Sequence, residues 1–274
     1  GGARDLHLIV RLAVSSDYAA HKLGGKFGAT GVEAVSLLQA TRAVADELGV
    51  SFHVGSQCMR PEAWRVAMAH VGGLIREAGV TVDIVDVGGG FPVAYPGLTP
   101  PPLEDYMREI EAAFEEMPVL ENADLWCEPG RALCAEAGSH VARVELRKGD
   151  ALYLNDGAYG ALFDAAHDGL VYPVKLLREK GSPRRPLRPF KLYGPTCDSI
   201  DVMEGPFMLP ADIGEGDYIE FGLTGAYGSA LATKFNGFGE YVEAQVADAP
   251  MTSVFEAQKP KRRSAKVIAI GQKL

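Results

Sequence analysis

The first half of the chain alternates short apolar runs with longer segments of helical periodicity, and this order restricts the fold most strongly. The pattern predicts strands at residues 7–14, 50–54, 82–87 and 124–128, and helices at residues 32–48, from 61 onward and at 103–114. Strands that alternate with helices in this way pair in parallel. Parallel α/β sheets bind ligands at the carboxyl ends of their strands, whether the sheet is open or closed into a barrel. We therefore expect functional residues where these strands end.

After about Gly138 the pattern changes. The apolar runs become short, alternate with polar residues and are bounded by Gly, Pro or Asp, which is typical of antiparallel strands. The sequence therefore predicts two domains, an α/β domain at residues 1–138 and a β-rich domain at residues 139–274.

Charge and cysteine content exclude several classes of function. The net charge of −9 disfavours nucleic acid and anionic membranes as partners and suits a small, cationic ligand. No apolar run is long enough to span a bilayer, and the first residues, GGARDLHLIV, lack the charged head and cleavage site expected of a signal peptide. The four cysteines lack CxxC spacing, so we expect no metal cluster, and reduced thiols indicate the cytoplasm.

The segment GPTCDSID, residues 194–201, places the thiol of Cys197 directly beside the carboxylate of Asp198. A thiol in such a place can be a nucleophile, a metal ligand, a proton donor or a buried core residue. A core strand would not begin with a Gly-Pro turn and continue with three further polar residues, so the surroundings favour a functional role.

Three predicted strands end in residues that could carry chemistry. His53 and Ser56 follow the second strand, although a lone histidine in a strand is more often a core residue. Residues 88–90, three glycines, follow the third strand and either approach an anion closely or make an ordinary turn. Glu128 and Arg131 follow the fourth strand. They are either a pair of functional residues at a binding site or an exposed salt bridge.

Two glycine-punctuated segments lie in the β-rich half. Residues 155–169 contain Tyr159 and Asp168. The carboxylate of Asp168 could hold a cation or cap a turn. Residues 225–238 place Tyr227 between small residues, where an aromatic ring can enter a pocket.

Together these motifs resemble the ornithine/diaminopimelate/arginine decarboxylases of the alanine-racemase fold, which use pyridoxal phosphate (PLP). The resemblance runs from about residue 8 to residue 238, and the motifs occur in the family's order: FHVGSQ, DVGGGFP, EPGR, NDGAYG, GPTCDSID and GAYGSALATKFNGF. It implies the later part of a PLP-binding (β/α)8 barrel followed by a C-terminal antiparallel β-domain. It also implies a homodimer with shared active sites, in which Tyr159, Cys197 and Asp198 reach the site of the partner subunit.

The resemblance implies a role for each candidate residue. His53 would stack on the cofactor ring, Glu128 would pair with the pyridine nitrogen, and Cys197 would return a proton to Cα. Tyr159, Asp168 and Asp198 would bind the substrate. The phosphate would be held by side chains and backbone of the following residues: Ser56, Gly88, Gly89, Gly90, Gly130, Arg131 and Tyr227.

Details within the family favour L-ornithine as the substrate and putrescine as the product. An aspartate follows the thiol, where the diaminopimelate enzymes carry a glutamate, and the KFNGF ending is similar to the ornithine branch. Two residues depart from the family pattern: Lys22 stands where the eukaryotic enzymes have arginine, and His167 replaces an aromatic residue. These departures leave lysine, both diamino acids or diaminopimelate as alternative substrates. A non-catalytic regulatory homologue is the other alternative.

Family members hold PLP on a lysine of an early barrel strand. None of the lysines in this sequence stands in a matching short apolar run. A complete barrel also takes about 250 residues. We therefore expect a further N-terminal barrel segment, carrying that lysine, to complete the active protein.

Overall fold

The chain forms two units, and the computed structural model describes residues 5–21, 25–181, 186–251 and 268–269 of them. Unit 1 comprises residues 1–93 and 100–132, and unit 2 comprises residues 94–99 and 133–274. Within these described segments, no helix combines the length and the apolar character needed to cross a membrane.

Unit 1 alternates strands and helices. Its elements in chain order are β1 (His7–Arg11), β2 (Ala19–His21), α1 (Gly31–Arg42), β3 (Glu47–Ser51), β4 (Ser56–Cys58), α2 (Glu62–Ala78), β5 (Ile84–Asp86), α3 (Leu103–Glu115) and β6 (Asp124–Trp126), after which α4 (Gly130–Cys134) begins. Four strands form one sheet in the order β1-β3-β5-β6, and all neighbours are parallel. β2 and β4 form a separate antiparallel pair. The predicted parallel α/β arrangement, part of a (β/α)8 barrel, is confirmed.

The predicted end of the helix at residues 32–48 was wrong. α1 ends at Arg42, and Leu48, which continues the helical spacing, lies in β3 opposite Leu8. Gly49 does not stop a helix but lies inside β3, where a Cβ would come 2.8 Å from Ile9 Cγ1. β3 pairs on both sides, and this pairing outweighs the local periodicity.

An aromatic cluster packs beneath the loop that follows β5. The ring of Trp64 stacks on Phe91 at 4.8 Å between centroids and meets Tyr106 edge-on at 5.5 Å. Trp64 Nε1 donates to the carbonyl of Val87 at 3.2 Å, and the Tyr106 hydroxyl donates to the carbonyl of Cys58 at 3.0 Å. All three rings are buried, so the loop between Val87 and Phe91 rests on a rigid base.

The two edge strands of this sheet carry exposed apolar side chains. Ile9 on β1 and Leu125 and Trp126 on β6 are all solvent-exposed. An exposed strand edge with apolar side chains can pair with further strands. The four strands therefore do not bury the apolar surface of a barrel wall by themselves.

Unit 2 is rich in β-structure. Its elements are β7 (His140–Lys148), β8 (Ala151–Leu154), α5 (Phe163–His167), β9 (Val174–Leu177), β10 (Leu187–Tyr193), β11 (Val202–Pro210), β12 (Tyr218–Phe221), β13 (Ala244–Gln245) and β14 (Ile268–Ala269). Six strands form a sheet in the order β11-β10-β8-β7-β12-β9. Its pairs are antiparallel except β8 with β10, which are parallel. The long connection from β8 through α5 and β9 allows this parallel pairing.

Candidate active site

The candidate residues of unit 1 follow the carboxyl ends of three neighbouring strands. Backbone hydrogen bonds join these strand exits: Phe52 N–H donates to the carbonyl of Asp86 at 3.2 Å, and Val87 N–H to that of Trp126 at 2.9 Å. Glu128 N–H donates to the carbonyl of Gly88 at 2.9 Å. The three loops carrying His53, the glycines and Glu128 therefore meet at one edge of the sheet.

The glycine loop approaches its neighbours too closely for any side chain. A Cβ on Gly88 (φ 66°) would overlap the carbonyl oxygen of Phe52, and one on Gly90 (φ 106°) would overlap that of Gly55. A Cβ on Gly89 would lie 2.7 Å from the carbonyl oxygen of Glu128. Glycine is therefore required at this loop by the packing of protein backbone, whether or not an anion binds there.

The backbone donors of the predicted phosphate site are not equivalent. Gly88 N–H donates to the buried carboxylate of Asp86 at 2.8 Å, and Gly130 N–H to the carbonyl of Glu128 at 2.8 Å. Both glycines are thus already engaged within the protein. In the segments that the structure describes, no hydrogen bond uses the N–H of Gly89 or Gly90.

Arg131 and Ser56 form a second group of donors at the same edge. The Arg131 side chain is buried, and its Nη2 lies 3.3 Å from Ser56 Oγ. A guanidinium, a hydroxyl and backbone N–H groups are the donors with which proteins bind phosphate. The residues present therefore fit the phosphate of a cofactor. The Glu128 side chain is exposed, which leaves its carboxylate accessible to a ligand.

His53 is half-buried and its ring is fixed. Its Nδ1 accepts a hydrogen bond from Gly55 N–H at 3.0 Å, so the neutral ring carries its proton on Nε2. Burial and then the positive charge of Arg11 lower the pKa of His53, while Asp86 acts in the opposite direction. An uncharged, oriented imidazole suits stacking on an aromatic ring.

We expect His53 to titrate below its ordinary value of 6.5, and NMR titration of the histidine ring signals measures this directly. The His53→Gln variant assigns the signal. Arg11→Gln removes a positive charge and should raise the midpoint, whereas Asp86→Asn should lower it further. The unfolded state binds this proton more readily, so the His53 contribution to the free energy of unfolding falls as pH drops below about 6.5. A midpoint at or above the ordinary value would contradict this assignment.

In unit 2 the Cys197–Asp198 segment lies against the loop that carries Tyr159. The Tyr159 hydroxyl donates to Asp198 Oδ2 at 2.5 Å. This bond, followed by one from Ile200 N–H, holds the pKa of Asp198 below its ordinary value, and the same bond raises the pKa of Tyr159. Asp198 is therefore a carboxylate at neutral pH. The Cys197 side chain is exposed, and its backbone N–H donates to Asn236 Oδ1 at 3.1 Å.

Asp201 joins these two loops, and sequence reasoning assigned it no role. Its buried carboxylate accepts hydrogen bonds from Ala158 N–H at 2.7 Å, and from the N–H and hydroxyl of Thr196 at 3.0 and 2.7 Å. A Cβ on either Gly157 or Gly194 would overlap this carboxylate. Asp201 thus fixes the position of the Cys197–Asp198 segment relative to Tyr159.

The remaining predicted residues lie elsewhere in unit 2. Asp168 is exposed and follows the last residue of α5. Its neighbour His167 stacks on Phe163 with ring centroids 4.1 Å apart. Tyr227 is exposed and has a positive φ of 62°. Lys22, one of the two departures from the family pattern, lies outside the described residues.

Comparison with known proteins identifies the family. Residues 2–135 match the family model described as "Pyridoxal-dependent decarboxylase, pyridoxal binding domain". The chain belongs to the pyridoxal-dependent decarboxylases. Pyridoxal phosphate is the cofactor of this family, and the donors at the strand ends of unit 1 fit it.

Individual relatives support this family assignment. The chain is 34% identical to a lysine/ornithine decarboxylase of Selenomonas ruminantium over 84% of its own length, and 34% identical to an ornithine decarboxylase of Caenorhabditis elegans over 89%. It is 32% identical, over 84%, to antizyme inhibitor 2 of Xenopus laevis. The aligned regions span 59%, 62% and 54% of those three proteins.

A solved structure supports the fold. The structure of the Paramecium bursaria Chlorella virus arginine decarboxylase matches with a TM-score of 0.72 at 30% identity. The match covers 86% of this chain and 64% of the viral chain. The match therefore supports the fold of the partial barrel and that of the β-rich part.

Proposed function

We propose that this chain is part of a PLP-dependent enzyme that decarboxylates L-ornithine to putrescine. The observation that carries the proposal is the exposed thiol of Cys197 next to Asp198, whose charge is held by the Tyr159 hydroxyl. A proton donor and a carboxylate in adjacent positions suit a substrate that needs a proton at one end and carries an ammonium group at the other.

The residues of unit 1 would hold the cofactor. Ser56, Arg131 and the N–H groups of Gly89 and Gly90 would bind the phosphate, while His53 would lie on the ring and Glu128 would pair with its nitrogen. When bound, PLP supplies an electron sink for the electron pair that remains on Cα after CO₂ departs. A carboxylate at Glu128 favours the protonated ring nitrogen and so strengthens that sink.

The residues of unit 2 would act on the substrate. Cys197 would donate its thiol proton to Cα after CO₂ loss, and the thiolate would recover a proton from solvent. Asp198 and Asp168 would bind the distal ammonium, and Tyr159 would orient Asp198. Tyr227 would add a hydroxyl to the phosphate site. We propose a homodimer with shared active sites, a cytoplasmic location, and residues 1–138 and 139–274 as its two functional parts in this chain.

Two alternatives have specific support. The relative named lysine/ornithine decarboxylase favours an enzyme that accepts both diamino acids. The relative named antizyme inhibitor 2 favours a regulatory protein without activity. The presence of His53, Glu128, Cys197 and Asp198 together supports the catalytic reading, because a purely regulatory protein has no need of a proton donor beside a charged carboxylate.

The deciding experiment is an assay of the full-length protein with and without added PLP. L-ornithine, L-lysine, L-arginine and meso-diaminopimelate are offered separately, and the amine products are separated and quantified. We expect PLP-dependent formation of putrescine at the highest kcat/KM. A protein that binds PLP without releasing CO₂ from any of them would be the regulatory homologue.

Binding of the distal ammonium group of ornithine should depend on Asp198. We expect Asp198→Ala to raise KM for ornithine about tenfold or more, because a charge-assisted hydrogen bond to the ammonium is lost. Norvaline, which has the same carbon chain without the ammonium, should be used equally poorly by parent and variant. The control is Asp150→Ala, which removes an exposed aspartate paired with Arg188 and should change neither KM. Equal use of ornithine and norvaline by the parent protein would show that no ammonium site exists.

A further inference from the structure

Gln57 has an unusual combination of conformation and burial. Its side chain is completely buried and its φ is +53°, a region that residues other than glycine seldom adopt. The side-chain amide bonds both backbone groups of Val93: Nε2 donates to the carbonyl at 2.6 Å, and Oε1 accepts from the N–H at 3.1 Å. Backbone strain of this kind persists only where the surrounding structure enforces it.

These bonds act on the loop that carries the glycines. The loop leaves β5 at Val87, whose carbonyl is held by Trp64, and it ends at Val93, which is held by Gln57. Between these points, Gly90 packs directly on the backbone of Gly55, and its carbonyl accepts a bond from Cys58 N–H at 2.9 Å. One end of the loop is therefore fixed to α2, and the other to β4, the strand that contains Ser56.

We propose that Gln57 is a positioning residue that holds Gly89 and Gly90 in register with Ser56 and thereby sets the affinity of the site for a phosphate group. The inference rests on the proposed function, since the phosphate in question is that of PLP. Gln57 itself does not touch the ligand, because its side chain is fully buried and both of its polar atoms bond to Val93. Its effect is transmitted through the loop.

Gln57 responds differently to substitution depending on whether it merely adopts a positive φ within β4 or also positions the loop. Gln57→Gly adopts a positive φ without strain but loses both bonds to Val93. Gln57→Met keeps the approximate size of the side chain and leaves the N–H and carbonyl of Val93 without their partners. If Gln57 only supplied a residue with positive φ, the glycine variant would behave like the parent protein.

The test compares PLP with pyridoxal, which lacks the phosphate, as ligands of the full-length protein. Dissociation constants are measured by fluorescence titration for the parent, Gln57→Gly and Gln57→Met. We expect both variants to bind PLP about tenfold more weakly and pyridoxal less than about twofold more weakly. Thermal unfolding is recorded in parallel, and where Gln57→Met does not fold, Gln57→Gly decides the question.

The matched control is Gln39→Met. Gln39 also donates through Nε2 to a backbone carbonyl, that of Ala78 at 3.0 Å, but it is an exposed residue of α1 and this bond does not involve the glycine loop. Gln39→Met should change the unfolding temperature little and leave the ratio of the PLP and pyridoxal affinities unchanged. An unchanged ratio in both Gln57 variants would overturn the positioning role while leaving the proposed function intact. A parent protein that binds pyridoxal as tightly as PLP would overturn the phosphate site itself, and the positioning role with it.

Discussion

Replacing Cys197 with alanine in the full-length protein should slow ornithine decarboxylation by about a hundredfold or more, the usual contribution of a positioned general acid. The Cys197 side chain is exposed on a segment whose backbone is fixed by Asn236. Alanine removes the proton donor without altering these backbone contacts. The variant should therefore have a lower kcat, while its free energy of unfolding stays nearly that of the parent protein.

The products should change as well as the rate. Without Cys197 to protonate Cα, a fraction of turnovers should be protonated at the wrong position, which would yield an aldehyde and the pyridoxamine form of the cofactor. Chromatography of the amine and aldehyde products, together with the absorbance of the cofactor, measures this fraction. Cys134→Ala is the control, because Cys134 is also an exposed cysteine of unit 2. Unchanged turnover and product purity in Cys197→Ala would exclude the role.

The residues that sequence reasoning found are those whose signal is local. His53, the glycines and Glu128 each follow directly on a strand, and parallel pairing brings strand ends to one edge of a sheet. The order of motifs along the chain then suffices to predict the family. A short segment with a characteristic composition can be recognised without knowing what it contacts.

Two of the residues that sequence reasoning missed act through partners far away in the chain. Gln57 bonds a residue 36 positions away, and Asp201 bonds one 43 positions away. The role of each depends on a loop position that only the folded chain defines. The misplaced end of α1 has a similar cause, since Leu48 continues a helical spacing but lies in a strand that pairs on both sides. Asp86 was also missed, because its bond to Gly88 N–H lies within a run that reads simply as a buried strand.

The largest combined effect on stability and activity should come from Asp201. Asp201→Ala removes the acceptor of three hydrogen bonds at a site that is only 3% exposed. Each buried donor left without a partner costs about 1–3 kcal/mol, so the free energy of unfolding should fall by about 3 kcal/mol or more. Asp201→Asn keeps the size of the side chain but turns an NH₂ group toward one of these donors, so it should recover only part of the loss.

In Asp201→Ala, kcat/KM should fall by more than the loss of folded protein explains, because Asp201 holds the Cys197–Asp198 segment against the Tyr159 loop. Displacing reactive groups by about 1 Å can cost about a hundredfold in rate. The control is Asp217→Ala, which removes another buried carboxylate of unit 2, one that bonds Arg178 and Gly214. Both variants are assayed at a temperature where circular dichroism shows them folded. We expect Asp217→Ala to keep the parent kcat/KM there and Asp201→Ala to lose it, since Asp201, unlike Asp217, bonds both Ala158 beside Tyr159 and Thr196 beside Cys197. Equal kcat/KM in the two folded variants would mean that Asp201 serves stability alone.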